Sequence, residues 1–197
     1  MCGRYQIDDE VSVEIRSMIE KIEQKTAGVT LKRGEIYPTN LVPVWMPVNG
    51  QPEPEAAVWG FPGFSGKGVL INARAETVPD KKTFRACMEQ RRCVIPASGF
   101  YEWDTGKNKI YFRNPHEEVL YMAGLYQQID REVRFVIVTT QANASMLDVH
   151  NRMPLLLRKE ELKDWILDER RARGMLAQEP YPLEKFCEFE QARLPFL

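Results

Sequence analysis

The stretch CVIPASGFYEW, residues 93–103, decides how the chain folds. Two runs rich in Val, Ile, Tyr, Phe and Trp, 92–97 and 99–104, meet here almost without a break. β-branched and aromatic residues suit a pleated, half-buried surface. Gly99 at the joint marks a bend or bulge, where a backbone or a ligand comes close. Similar runs recur at 55–59, 68–75, 109–113, 118–126 and 133–140, each bounded by Gly, Pro, Asn or charge. Many short strands with close punctuation point to an antiparallel sheet that curls on itself.

Helical periodicity is confined to four segments. Residues 8–27 place Val11, Ile15, Met18 and Ile22 at helical spacing, with Asp8 or Asp9 as cap and Gly28 as terminator. Residues 83–90 and 143–149 read as short helices capped by Thr83 and Asn143, and 159–173 as a last helix with Leu162, Trp165 and Ile166 on one face. The Pro-rich stretch 37–54 reads as extended chain. The tail from Gln178, punctuated by Pro and aromatic residues, finds no place in the pattern. The expected fold class is α+β: a single domain over 1–197, mostly antiparallel strands in a barrel-like sheet with a few peripheral helices.

Composition sets the bounds. The 197 residues are 44% hydrophobic and 28% charged, enough apolar material for a core without staples. No apolar run approaches the roughly 18–20 residues of a membrane span, and no signal peptide is legible. A cytoplasmic monomer that meets no membrane is the expectation. Four cysteines lack C-x-x-C spacing and there are only two histidines, His116 and His150, so no disulfide, metal or cofactor is expected. The net charge of −1 hides a bias. Residues 66–113 carry ten Lys/Arg against five Asp/Glu, a net +5 that leaves −6 for the rest. That suits a small phosphate-binding footprint, or simply a solvated face.

Five features could carry chemistry. In MCGRYQ, loss of Met1 would leave Cys2 with a free α-amine beside its thiol. Such an amine has a pKa of about 7.7–8.0, far below the roughly 10.4 of lysine, so a useful fraction is neutral at pH 7. The pair could attack an acyl carbon with the amine as base, or condense with an aldehyde and close to a thiazolidine. The plain alternative is an ordinary buried thiol at the start of a strand. In VLINARAET (69–77), a strand would put Leu70, Asn72, Arg74 and Glu76 on one face. An amide there suits holding an amine, and a guanidinium suits a phosphate. In CVIPASGFYEW, Glu102 shares a face with Phe100 and is flanked by Tyr101 and Trp103, a setting for a general acid and base or for a surface carboxylate. In DVHNRMPLLL (148–157), His150 beside Arg152 is a titratable group ahead of a strand, or a structural histidine; His116 reads as a turn residue. The aromatic set Trp45, Trp59, Phe61 and Phe64 could stack bases or form core, with Phe64 the best placed for exposure.

In this order, MCGRY, VWGFPGF, INARAET, RRCVIPASGFYEW, MAGLY, FVIVTT and HNRMPLLL resemble the SRAP family, the SOS-response-associated peptidases that shield abasic sites in DNA. The resemblance runs from Cys2 to about Trp165. It implies that Cys2 attacks the ring-opened aldehyde of an abasic deoxyribose, forms a Schiff base through its amine and closes to a thiazolidine through its thiol. Asn72 then positions the amine, Glu102 is the acid/base residue, and His150 assists proton transfer and reversal. Arg4, Arg74 and Arg152 lie at the DNA backbone. Phe64 stands in for a pair of tryptophans found in relatives. The implied partner is single-stranded DNA containing abasic sites, with nucleoid association when bound. The implied proteolysis is release of Met1, with lyase character besides. The other readings from the residues are an N-terminal-nucleophile peptidase or amidase and a non-covalent single-stranded DNA binder.

Overall fold

The computed structural model describes residues 3–63 and 67–187. In chain order, β1 (Arg4–Ile7) leads to α1 (Val13–Lys25) and β2 (Gly34–Ile36), then β3 (Leu41–Val48) and β4 (Gln51–Trp59). The short strands β5 (Phe61–Pro62), β6 (Val69–Leu70) and β7 (Asn72–Arg74) precede α2 (Lys82–Gln90). Next come β8 (Arg92–Ala97), β9 (Gly99–Trp103), β10 (Lys109–Arg113), β11 (Leu120–Ile129) and β12 (Glu132–Gln141). β13 (Arg152–Pro154), β14 (Leu156–Leu157), α3 (Leu162–Leu167), α4 (Glu169–Met175) and β15 (Glu184–Cys187) follow among the described residues. No helix among the described residues is long and apolar enough to cross a membrane.

The pairings β12–β4–β3–β8–β11 close on themselves, because β11 also pairs with β12. This five-strand ring is the barrel that the strand pattern led us to expect. A second sheet, in the order β15–β10–β9–β1–β2, is antiparallel throughout. The opening stretch joins the two: β8 belongs to the barrel and β9 to the second sheet. The chain turns at Ser98, whose N–H donates to the Gln6 carbonyl (2.8 Å) while its Oγ accepts from the Asp8 N–H (2.9 Å). Gly99 permits the close approach foreseen for it. A Cβ there would sit 2.4 Å from the Tyr111 ring and 2.5 Å from the Phe112 carbonyl oxygen. One contiguous hydrophobic core runs through both layers.

Several boundaries differ from expectation, each for a local reason. The first helix begins at Val13, not at residue 8. The Asp8 carboxylate instead accepts from the Glu10 and Val11 N–H groups, and Ser12 caps the helix by accepting from the Ile15 N–H. Val11 is therefore exposed, while Ile15, Met18, Ile19 and Ile22 are buried. Lys81, rather than Thr83, precedes α2. Residues 144–149 form hydrogen-bonded turns in place of a helix, although the Asn143 carboxamide oxygen does accept from the Ser145 N–H and Oγ. The last helix divides at Asp168, which is extended (φ −110°, ψ 106°) and caps α4 through the Arg171 N–H. Of the tail, the described residues 178–187 are held by β15 and by the Asn143 amide, which donates to the Pro180 and Tyr181 carbonyls.

The stretch 37–54 contains most of a regular hairpin. Asn49 and Gly50, both with positive φ (51° and 75°), make its two-residue turn. Counting from the turn, Val48↔Gln51 is a hydrogen-bonded pair, so alternate pairs further along are not. Pro43, Pro47, Pro52 and Pro54 all fall in the non-bonded class, where the missing N–H points away from the hairpin partner. On the other edge of β3, pairing with β8 is limited to Trp45↔Val94, between Pro43 and Pro47.

One buried cation ties the helices to the barrel. Arg92, 3% exposed, opens β8 and donates to four carbonyls: Met88 (2.7 Å) and Glu89 (2.6 Å) in the last turn of α2, and Trp165 (2.6 Å) and Ile166 (3.2 Å) in the last turn of α3. Helix C-termini carry partial negative charge, so the guanidinium satisfies orphan acceptors and the dipoles together. The Trp165 indole N–H reaches the Cys93 carbonyl at 2.9 Å. Arg92→Leu leaves four carbonyls without that donor, and charge-assisted bonds are worth about 1.5–3 kcal/mol each. We expect a loss of about 3 kcal/mol or more in urea unfolding; a loss under about 1 kcal/mol would remove Arg92 from this role.

Candidate active site

Cys2 and Phe64, both candidates from the sequence, lie outside the described residues. The others fall in two groups joined by a tryptophan.

The first group lies on the second sheet. β1 pairs with β9 in the register Arg4↔Tyr101, Tyr5↔Phe100, Gln6↔Gly99. Tyr5 and Phe100 face the core and are fully buried. Glu102, two residues beyond Phe100, shares that face and is 4% exposed, so it is no surface carboxylate. Arg4 points to the opposite, solvent side. Its guanidinium lies 4.3 Å from the Tyr37 ring centroid and 4.8 Å from that of Trp103, and pairs with Glu35 at 3.2 Å. Lys109 approaches the same carboxylate at 3.1 Å. Burial works to raise the Glu35 pKa, but hydrogen bonds from Lys109 and Tyr37 and the charges of Lys109 and Arg4 outweigh it and hold the carboxyl low.

The second group gathers around the end of β12. β7 runs parallel to β12 with Asn72↔Ile137, Ala73↔Val138 and Arg74↔Thr139. Ala73 is buried while Asn72 and Arg74 turn outward, as the alternation in INARAET requires. The expected strand 68–75 is in fact two pieces, because β6 pairs with β5 and only β7 reaches β12. β13 flanks β12 on the other side, with Arg152↔Gln141. The Arg152 guanidinium grips both Glu76 oxygens (2.5 and 2.9 Å) and donates to the Thr139 carbonyl at 2.6 Å. Arg74, in contrast, is exposed and makes no ion pair among the described residues. The His150 Nδ1 accepts from the Arg152 N–H at 2.9 Å, so the neutral ring carries its proton on Nε2. Of the three arginines expected at a phosphate, two already engage carboxylates.

Trp59 joins the groups. Its fully buried ring lies 5.1 Å from Tyr5 and 6.5 Å from Phe135, and its Nε1–H donates to the Ile71 carbonyl at 3.1 Å. The strand entered from Cys2 and the strand that starts at Asn72 therefore rest on one indole. Sequence reasoning placed Trp59, Trp45 and Phe61 among possible base-stacking residues. The structure makes Trp59 and Phe61 core (0% and 3% exposed) and packs half-buried Trp45 against it.

The Glu76–Arg152 pair has a pH signature. The hydrogen bond from Arg152 lowers the Glu76 pKa, partly opposed by burial. A lowered folded-state pKa contributes stability that is complete above the unfolded value, about 4.3, and lost as pH falls through the folded value. Glu76→Gln should therefore have a lower Tm than the parent at pH 7, with the gap closing below about pH 4. A gap that stays constant down to pH 2.5 would rule out this linkage.

The comparisons agree with this architecture. The abasic site processing protein YoaM of Bacillus subtilis is 38% identical over 106 residues, covering 49% of this chain and 47% of that protein. The abasic site processing protein YoqW of the same organism is 32% identical over 186 residues, covering 84% of this chain and 80% of that one. A crystal structure of a protein from Bacteroides thetaiotaomicron shares the fold at a TM-score of 0.75 and 21% identity, over 98% of this chain and 95% of that one. The family model for SOS response associated peptidase (SRAP) matches residues 1–189. The chain belongs to the SRAP family.

Proposed function

We propose that this protein processes abasic sites by capturing them covalently in single-stranded DNA through Cys2, after removal of Met1. The observation that supports this most is the coupling of the strand following Cys2 to Asn72 through Tyr5, Trp59 and Ile71, with Glu102 buried on the same side of the second sheet. The names of the relatives YoaM and YoqW point to the same substrate.

The chemistry balances without a cofactor. The α-amine adds to the C1′ aldehyde of the ring-opened sugar, and loss of water gives an imine. The thiol then adds to the imine carbon, its proton ends on nitrogen, and the five-membered thiazolidine closes. Capture of the imine removes the electron sink that would otherwise eject the 3′ phosphate. Glu102 gives a proton as the sugar opens and as water leaves, Asn72 holds the amine, and His150, whose Nδ1 is fixed as an acceptor, returns protons for closure and reversal. Arg74 is the arginine best prepared for phosphate.

The reading is tested with an oligonucleotide carrying one abasic site, a denaturing gel and intact-mass analysis of the protein. A denaturant-stable band is expected from protein lacking Met1 and not from Cys2→Ala. Turnover of a peptide or amide with no such band would establish the hydrolase instead. Asn72→Ala should slow adduct formation about tenfold, the scale of one lost charge-assisted hydrogen bond, with affinity for unmodified DNA unchanged. Glu102→Gln, close in volume, should slow it about 100-fold or more. Unchanged rates across pH would remove either residue from its part.

A further inference from the structure

The solvent side of the second sheet carries a straight row of rings. Phe186 (β15) pairs with Tyr111 (β10), Tyr111 with Tyr101 (β9), and Tyr101 with Arg4 (β1). Side chains of directly paired residues share a face, and neighbouring strands are about 4.8 Å apart. The Tyr101 and Tyr111 centroids are 5.1 Å apart. Tyr111 can lie low across the neighbouring strand because Gly99 offers no Cβ beneath its ring. Cations interleave with the rings: Lys109 is 4.0 Å from the Tyr101 centroid and Arg113 is 4.6 Å from that of Phe186. Glu184 pairs with Arg113 and Glu35 with Lys109, so the row is not uniformly positive. Phe186, at one end, is 41% exposed, as is Tyr37 at the other (40%). The helices pack on the barrel strands instead, α1 against β3 and β4, α2 and α3 against β8.

We propose that Tyr101, Tyr111 and Phe186, with Lys109 and Arg113, form a stacking track for the bases of single-stranded DNA flanking the captured residue. The occupant is a nucleic acid strand rather than a peptide, for two reasons. Aromatic rings set beside cations meet a polyanion with stacked bases on both counts. The row is also continuous with Arg4, two residues from Cys2. The inference rests on the capture reading for its position along the strand, but not for its chemistry. Arg113 and Lys109 sit where a backbone passing over the rings would bring phosphates. The segment after Gln178, which the sequence pattern left unplaced, contributes one of the three rings.

The test is fluorescence anisotropy of the full chain with unmodified oligothymidylates of 4 to 16 nucleotides, beside adduct formation on a short abasic oligonucleotide. Phe186→Ala and Tyr101→Leu should each weaken binding of the longer oligonucleotides about fivefold or more, the low end of measured base stacking on aromatic residues. Adduct formation on the shortest abasic substrate should be unchanged. Phe186→Trp should retain or restore affinity, which a purely structural defect would not predict. Parental affinity in both ring variants would overturn the track, as would a parent that binds no unmodified single strand. Loss of affinity in the variants of a parent that forms no adduct would uphold the track and sink the capture reading. An intact adduct with indifferent variants would do the reverse.

Discussion

The indole of Trp59 is the contact on which the arrangement depends. It lies in the barrel strand β4, stacks against Phe135 of β12, packs on Tyr5 of β1 and donates its one N–H to the Ile71 carbonyl. A buried indole needs a partner for that N–H, and the backbone just before Asn72 supplies it. Three elements far apart in sequence thus take their positions from one side chain. It thereby relates β1 and β7, which belong to different sheets.

Arg92 does for the helices what Trp59 does for the strands. Its fork of donors matches two helix ends at once, which an ammonium on a lysine stem could not do. Both residues begin or end a barrel strand, so both anchor peripheral elements to the closed ring. The surface ion pairs, by contrast, are exposed and screened, and contribute little each.

Local chemistry was readable wherever a local rule governed it. The alternation in INARAET set the outward face of Asn72 and Arg74, and Gly99 announced its close approach. The strand-rich pattern pointed to a curled, mostly antiparallel sheet, and the ring β12–β4–β3–β8–β11 closes it with one parallel pairing, β12 with β4. The Asn49-Gly50 turn was equally local, yet the prolines around it masked a hairpin, since proline reads as a strand breaker unless its pair class is known. Long-range pairing was not legible. Nothing in the chain near Arg4 signals Glu35, 31 residues on, and nothing near Arg152 signals Glu76. Arginines that looked ready for phosphate are therefore already engaged. The aromatic residues misled for the same reason: a run such as VWGF looks identical whether its rings meet bases or meet Tyr5.

The four prolines of the β3–β4 hairpin act together as a lock on alignment. Because the side-chain and bonding periods of a strand are both two, a slip of one residue moves every member of one class into the other. Sliding β3 past β4 by one position would carry its two prolines into hydrogen-bonding sites at the same moment, each with no N–H to give and a ring in the way. It would also turn Val42 and Val44 out of the core. The misaligned states are thus penalised from both sides of the strand, so the turn at Asn49-Gly50 can tolerate substitution better than it can tolerate an inserted residue.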